Sequence, residues 1–144
     1  MMSDFRPLSP TLSVSPQLSP EDVAEAARAG FALVINNRPD FEATDQPPGA
    51  EIAAAAEAAG LGYAAIPVGP AGIGMADIEA CAALLKGATG PVLMFCRSGT
   101  RSAHLATLAT ALLGGDADGL IAEGARFGYA LEPLRDACRR LSGG

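Results

Sequence analysis

Short apolar runs alternate with small-residue helical stretches along this chain, which predicts an α/β fold: a mostly parallel central sheet with helices on both faces. Three observations carry that prediction. The runs Phe31–Ile35 and Pro91–Phe95 are apolar throughout, as strands covered on both faces should be. The helical stretches between strands stop at Gly30, Gly60, Gly87 and Gly114-Gly115, residues suited to the turn that ends a helix. The length, 144 residues, fits one compact domain spanning 1–144 and leaves no room for two.

Taken in order, residues 1–11 read as a loose N-terminal lead-in, with a short edge strand continuing through Val14 as the alternative. Ser19-Pro20-Glu21-Asp22 is a helix start, with Ser as N-cap, Pro at the first helical position and acids in the first turn. That helix runs to Ala29. The strand Phe31–Ile35 gives way to a loop at Asn36-Asn37-Arg38-Pro39-Asp40. A helix over Ala50–Ala59 precedes a strand over Tyr63–Val68, and Gly69–Gly74 is a flexible connection. Asp77–Lys86 is the third helix, Pro91–Phe95 the next buried strand, and Ser102–Leu113 a fourth helix. Gly119–Leu141 is helical with breaks at Gly124, Gly128 and Pro133.

Sixteen acids against ten bases give a net charge of −6, which argues against nucleic acid as a partner, although a local basic cluster can still bind a small anion. Cys81, Cys96 and Cys138 are widely spaced and His104 is the only histidine, so neither a disulfide framework nor a metal site is expected, and no cofactor. The N-terminal stretch lacks the apolar run of a signal peptide, and nothing approaches the roughly 20 apolar residues of a membrane span. A cytoplasmic protein with no membrane partner is the expectation.

The chemistry concentrates in Cys96-Arg97-Ser98-Gly99-Thr100-Arg101-Ser102, which joins a buried strand directly to a helix. A helix N-terminus and flanking arginines favour a thiolate at Cys96. Gly99 lets successive backbone N–H groups turn toward one point, and Arg101 can fork onto an oxyanion. Arg97, Ser98, Thr100 and Ser102 add further donors. In parallel sheets ligands sit at the carboxyl ends of strands, where this loop lies. The bland alternative, an inert core cysteine before a solvated loop, fits poorly with two arginines and three hydroxyls as neighbours.

The loop resembles that of rhodanese-type sulfurtransferases, in which four residues separate Cys from Arg, as residues 97–100 do here; cysteine-dependent phosphatases resemble it with five. The rest of the chain is similar to the beta-lactamase-hydrolase-like (Blh) domains. The likeness runs over roughly Leu12–Leu141, and its most specific elements are Arg38-Pro39-Asp40, Ile66-Pro67-Val68 and the Cys96 loop. What the resemblance implies is a protein-tyrosine-phosphatase-like fold (a rhodanese-like fold being the alternative) carrying a sulfurtransferase loop, in bacterial proteins tied to persulfide metabolism and often beside a persulfide dioxygenase. Phosphatases of this kind resemble one another in an aspartic general acid after the Ile-Pro strand. Here Gly69–Ala76 holds no acid, and Asp77 reads as a helix-capping residue.

The resulting expectation is a sulfurtransferase that moves sulfane sulfur from thiosulfate or a small persulfide to a thiol or cyanide through a Cys96 persulfide, with Arg101 and the loop amides holding the anion. Its partners would be a small anionic sulfur donor and a thiol acceptor. A phosphomonoesterase working through a phosphocysteine is one alternative, and a persulfide carrier or sensor without turnover is another. Arg38, at the same sheet edge, either helps bind the anion or is a surface arginine paired with Asp40 or Glu42. His104 reads as a packing residue, and Cys81 and Cys138, at helical spacing from Ile78, Leu85, Leu134 and Leu141, as core.

Overall fold

The structure, a computed structural model, describes residues 3–143. Five strands form one sheet in the order β1-β2-β5-β3-β4: β1 (Arg6–Ser9), β2 (Leu12–Ser15), β3 (Leu33–Asn36), β4 (Gly62–Ala65) and β5 (Val92–Phe95). Only the β1–β2 pair is antiparallel; β2, β5, β3 and β4 run parallel. The helices are α1 (Pro20–Arg28), α2 (Gly49–Ala58), α3 (Met75–Gly87), α4 (Thr100–Leu112), α5 (Ala117–Arg126) and α6 (Arg135–Leu141). The α/β class with helices on both faces holds.

Side chains of the central strands alternate between two apolar layers, as a pleated sheet requires. Leu93 and Phe95 of β5, with Val34 of β3, face α1 and α2 through Val23, Ala26, Ile52 and Ala56. Val92, Met94 and Ile35 face the other layer, built from Ile78, Cys81, Leu105, Leu108, Ile121 and Leu131. The buried strand β5 is thus apolar at every position because each face meets a helix layer.

Several boundaries differ from those the sequence suggests. Residues 6–9 are not loose but form edge strand β1, the alternative the sequence offered, with Arg6 opposite Val14 and Pro7 opposite Ser13. Proline is tolerated there because an edge strand leaves one row of N–H groups unpaired. Residues 1–2 of the supposed lead-in lie outside the described residues. The run Tyr63–Val68 is strand only to Ala65, yet Ile66 and Val68 still donate their N–H groups to the carbonyls of Asn36 and Asn37. Gly124 does not break a helix; it lies inside α5, where a Cβ would sit 2.4 Å from Leu131 Cδ1. Gly128, at φ 85°, and Pro133, in a short 3-10 turn, do interrupt the helical run.

The start of α1 follows its capping chemistry. The Ser19 side chain accepts from the Asp22 N–H, and the Asp22 carboxylate accepts from the Ser19 N–H at 2.9 Å. Asp77 does the same at α3, accepting from the Gly74 N–H at 2.8 Å, as the capping expectation had it.

Candidate active site

The parallel register places Ser15, Phe95, Asn36 and Ala65 side by side at the carboxyl edge of the sheet. The residues that follow, Gln17, Cys96, Asn37 and Val68, therefore converge without any long reach. Cys96 is fully buried, and its sulfur accepts a hydrogen bond from the Gly99 N–H at 3.1 Å. Gly99, at φ 92°, turns that N–H back onto the sulfur and leads into α4, whose N-terminus adds its partial positive charge.

The loop carbonyls are held away from the sulfur. The Arg97 carbonyl accepts from the Gln17 N–H at 3.2 Å, and the Ser98 carbonyl accepts from the Tyr129 hydroxyl at 3.0 Å. In a trans peptide the N–H points opposite to the C=O, so tethering carbonyls outward turns amides inward. That is how a short loop becomes an anion nest.

Arg101 stands in the first turn of α4, directly after the loop. It donates to the Val68 carbonyl at 2.8 Å and grips both carboxylate oxygens of Glu42, at 2.7 and 2.9 Å. Arg38 donates to Oε1 of the same carboxylate at 2.9 Å, and also to Gln17 Oε1. Arg101, assisted by Arg38 and opposed by partial burial, lowers the Glu42 carboxyl from its ordinary 4.5 to about 2. Glu42 in turn, against burial and with help from the nearby Cys96, raises the Arg101 guanidinium.

The candidate residues do not all face the same point. Cys96, Gly99 and Arg101 come together. Ser98 and Thr100 are exposed and share a hydroxyl hydrogen bond of 2.9 Å, and Arg97 is exposed. Ser102 is fully buried and donates to Asn37 Oδ1 at 2.8 Å, so its hydroxyl ties α4 to the β3 loop and is already spent. Arg38 is only 6 % exposed, not a surface arginine, and the pairing with Glu42 is the one that forms. His104 is half-buried, with its pKa lowered by that burial. Cys81 and Cys138 are buried core thiols; burial pushes Cys81 up to about 12 and Cys138 upward as well. Among the described residues no cluster of His, Cys, Asp and Glu is arranged to hold a metal ion, and no helix is long and apolar enough to cross a membrane.

Sequence reasoning missed Arg6, Gln17, Asn37 and Tyr129. The strand register could have found Gln17 and Asn37, since both follow strands adjacent to β5. Nothing local marks Arg6 or Tyr129. A cleft of about 260 Å³ lined by Asn36, Arg38, Asp40, Gly49, Tyr63 and Pro67 adjoins this edge. A larger cavity, about 1020 Å³, lies at the opposite edge, beside the first residues of β2 and β5. It is lined by Asp116 and Glu123 but by no arginine or lysine, so it does not suit an anion.

The sheet order, with a cysteine-bearing loop running from a central parallel strand into the following helix, is that of a phosphatase-like fold. Residues 4–113 match the family of the beta-lactamase hydrolase-like protein, phosphatase-like domain, and the chain belongs to that family. It is similar to a phosphatase candidate from Neisseria meningitidis Z2491, at 34% identity over 94% of this chain and 96% of that one, with a TM-score of 0.77. A second phosphatase candidate, from Shewanella putrefaciens CN-32, shares the fold at 21% identity and a TM-score of 0.76, over 96% of this chain and 92% of that one. The beta-lactamase hydrolase-like protein of Xylella fastidiosa (strain Temecula1) is 38% identical over 103 residues, 72% of this chain but 24% of that protein. The chain thus spans about a quarter of the length of the curated relatives it matches.

These relatives overturn the expectation of a thiosulfate or persulfide sulfurtransferase working through a Cys96 persulfide. The fold and family are phosphatase-like across nearly the whole chain, and the rhodanese-like alternative fold falls with it. Sulfur transfer was expected from the four-residue loop and from the missing acid over Gly69–Ala76, and neither feature outweighs the family and the fold. Arg101 lies in the first turn of α4 and spans from Val68 to Glu42 with its long side chain. Its guanidinium is held by contacts with Glu42 and Val68, which a count of loop residues does not register.

Proposed function

We propose that the protein is a cysteine-dependent phosphatase that hydrolyses phosphate monoesters through a phosphocysteine at Cys96. The observation that carries this reading is the Cys96 loop at the carboxyl edge of the sheet, with the Gly99 N–H on the sulfur and Arg101, held by Glu42 and the Val68 carbonyl, in the first turn of the helix that follows. Family membership and the likeness to the Neisseria phosphatase candidate support it.

The Cys96 thiolate attacks phosphorus, the ester oxygen leaves with the bonding electron pair, and water then displaces the thiolate from the phosphocysteine. The phosphoryl oxygens accept from inward-facing loop amides and from the Arg101 donors that turn to them from Glu42. The Cys-x4-Arg spacing, the rhodanese-sized feature of the loop, makes the cradle smaller than that of a longer loop. Arg101 consequently carries a larger share of the oxyanion. No acid lies between Gly69 and Ala76 to protonate a departing alkoxide. The favoured substrates are accordingly aryl or other esters whose leaving groups need little proton help. The protein would act in the cytoplasm, where its three free thiols stay reduced.

Steady-state hydrolysis of an aryl phosphate tests the proposal. Turnover that Cys96→Ser abolishes is the expected result; an aryl-phosphate rate identical in both proteins would sink it.

A further inference from the structure

The Ser98–Gly99 peptide is the one whose N–H reaches the Cys96 sulfur, and its other end is held from outside the loop. The Ser98 carbonyl accepts from the Tyr129 hydroxyl at 3.0 Å and, at the long distance of 3.5 Å, from Arg6. Arg6 also donates to the Tyr129 oxygen at 2.7 Å, and its guanidinium lies 5.6 Å from the centre of the Tyr129 ring. Asp4 fixes Arg6 through two further bonds, at 3.0 and 2.6 Å. Arg6 belongs to β1 and Tyr129 to the connection after α5, so two separate parts of the chain meet on one peptide group.

Every donor in this chain points the same way. Arg6 donates to Tyr129, Tyr129 donates to the Ser98 carbonyl, and the amide one bond further on donates to the sulfur. Hydrogen bonds aligned in this way polarise one another, and a cation at the carbonyl end makes the N–H a stronger donor. A restraint from outside is needed because Gly99 supplies none: with no side chain, it leaves its peptide plane free to rotate. Tyr129 also fills the space a side chain would take, since a Cβ on Gly99 would lie 2.1 Å from the Tyr129 oxygen.

We propose that Arg6 and Tyr129 are positioning residues that hold the Ser98–Gly99 peptide with its N–H on Cys96 and so stabilise its thiolate. The inference rests on Cys96 being the reactive thiol of the proposed phosphatase, but it does not require any particular substrate. The other ionisable groups around Cys96 are Arg101 of α4 with its partner Glu42, Arg38 behind Glu42, exposed Arg97, and half-buried His104 one turn along α4. None of the substitutions below touches them.

The test is the rate of Cys96 alkylation by iodoacetamide as a function of pH, followed by mass spectrometry of the Cys96 peptide. Tyr129→Phe keeps the ring and removes only the hydroxyl. We expect its alkylation at pH 6 to fall about 5- to 10-fold, the scale of one net hydrogen bond, and to match the parent protein at pH 10. Arg6→Gln should show the same pattern, and Arg6→Lys, which keeps the charge, should recover part of the loss. These readings come from folded protein, checked by circular dichroism, and Arg6→Gln at the sheet edge decides the matter should Tyr129→Phe not fold. Profiles that superimpose on the parent at every pH overturn the proposal, as does an equal loss at pH 6 and pH 10, which would mean altered access only. Because alkylation needs no phosphate ester, a protein without phosphatase activity but with the expected pH pattern would refute the substrate reading and leave this one standing.

Discussion

Replacing Glu42 by Gln removes the carboxylate shared by Arg38 and Arg101 while keeping its size. A carboxyl lowered from 4.5 to about 2 corresponds to about 3 kcal/mol of preference for its charged form in the folded protein. The Glu42 side chain is 27 % exposed, so solvent screening reduces the part that appears as stability to about 1–2 kcal/mol. Arg38, with its side chain only 5 % exposed, is left with Gln17 as its charge-neutral partner, which adds to the loss. The sign follows from the lowered carboxyl. Its contribution is fully present above pH 4.5 and fades as the pH falls through about 2, when Glu42 protonates in the folded state. Urea unfolding of both proteins at pH 7 and at several values below 4.5 measures it. We expect Glu42→Gln to be less stable by about 1–2 kcal/mol at pH 7, with the gap narrowing as the pH falls toward 2. A gap of the same size at every pH, or none at pH 7, would refute the ionic origin of the clamp.

Other substitutions separate chemistry from scaffold. Arg101→Ala should reduce kcat/KM for an aryl phosphate by roughly 10²-fold or more, and Arg101→Lys should restore only part, because an ammonium offers a point charge where the guanidinium offers a fork. Cys81→Ser should leave kcat/KM within about twofold and lower stability by about 1–3 kcal/mol, since it puts a hydroxyl in a fully buried apolar site; thermal unfolding alongside activity checks both. Ser102→Ala should cost about 1–3 kcal/mol by leaving buried Asn37 Oδ1 without its donor, read by the same unfolding curves.

The fold was largely legible because its signals are local. The apolar run at Pro91–Phe95 reports burial on both faces, and the Ser19-Pro20-Glu21-Asp22 start reports capping groups next to one another in the chain. The edge strand Arg6–Ser9 was legible only as the alternative to a loose lead-in: a four-residue segment with a proline has no periodicity, and its pairing with β2 is what makes it a strand. In the site, Cys96, Gly99 and Arg101 stand in one short stretch whose composition is itself the signal. Ser102 shows the limit, since a hydroxyl in that stretch could face an anion or Asn37, and only the packing of α4 against the β3 loop decides it. The Arg6–Tyr129 tether lies beyond sequence reasoning because its parts are separated by 123 positions and meet only when β1 and the segment after α5 close on the loop. The choice of chemistry misled for a related reason. Counting residues between Cys96 and Arg101 measures the backbone, whereas the arginine fork is placed by Glu42, which lies 59 positions away.

The central claim, a phosphoryl group carried on Cys96, is tested most directly by acid-quenching the enzyme during turnover of an aryl phosphate and measuring the mass of the Cys96 peptide. The account predicts a gain of about 80 Da, one phosphoryl group, on that peptide and its absence in Cys96→Ser. Continued turnover with no phosphorylated Cys96 peptide, or with the phosphoryl group on another residue, would contradict it.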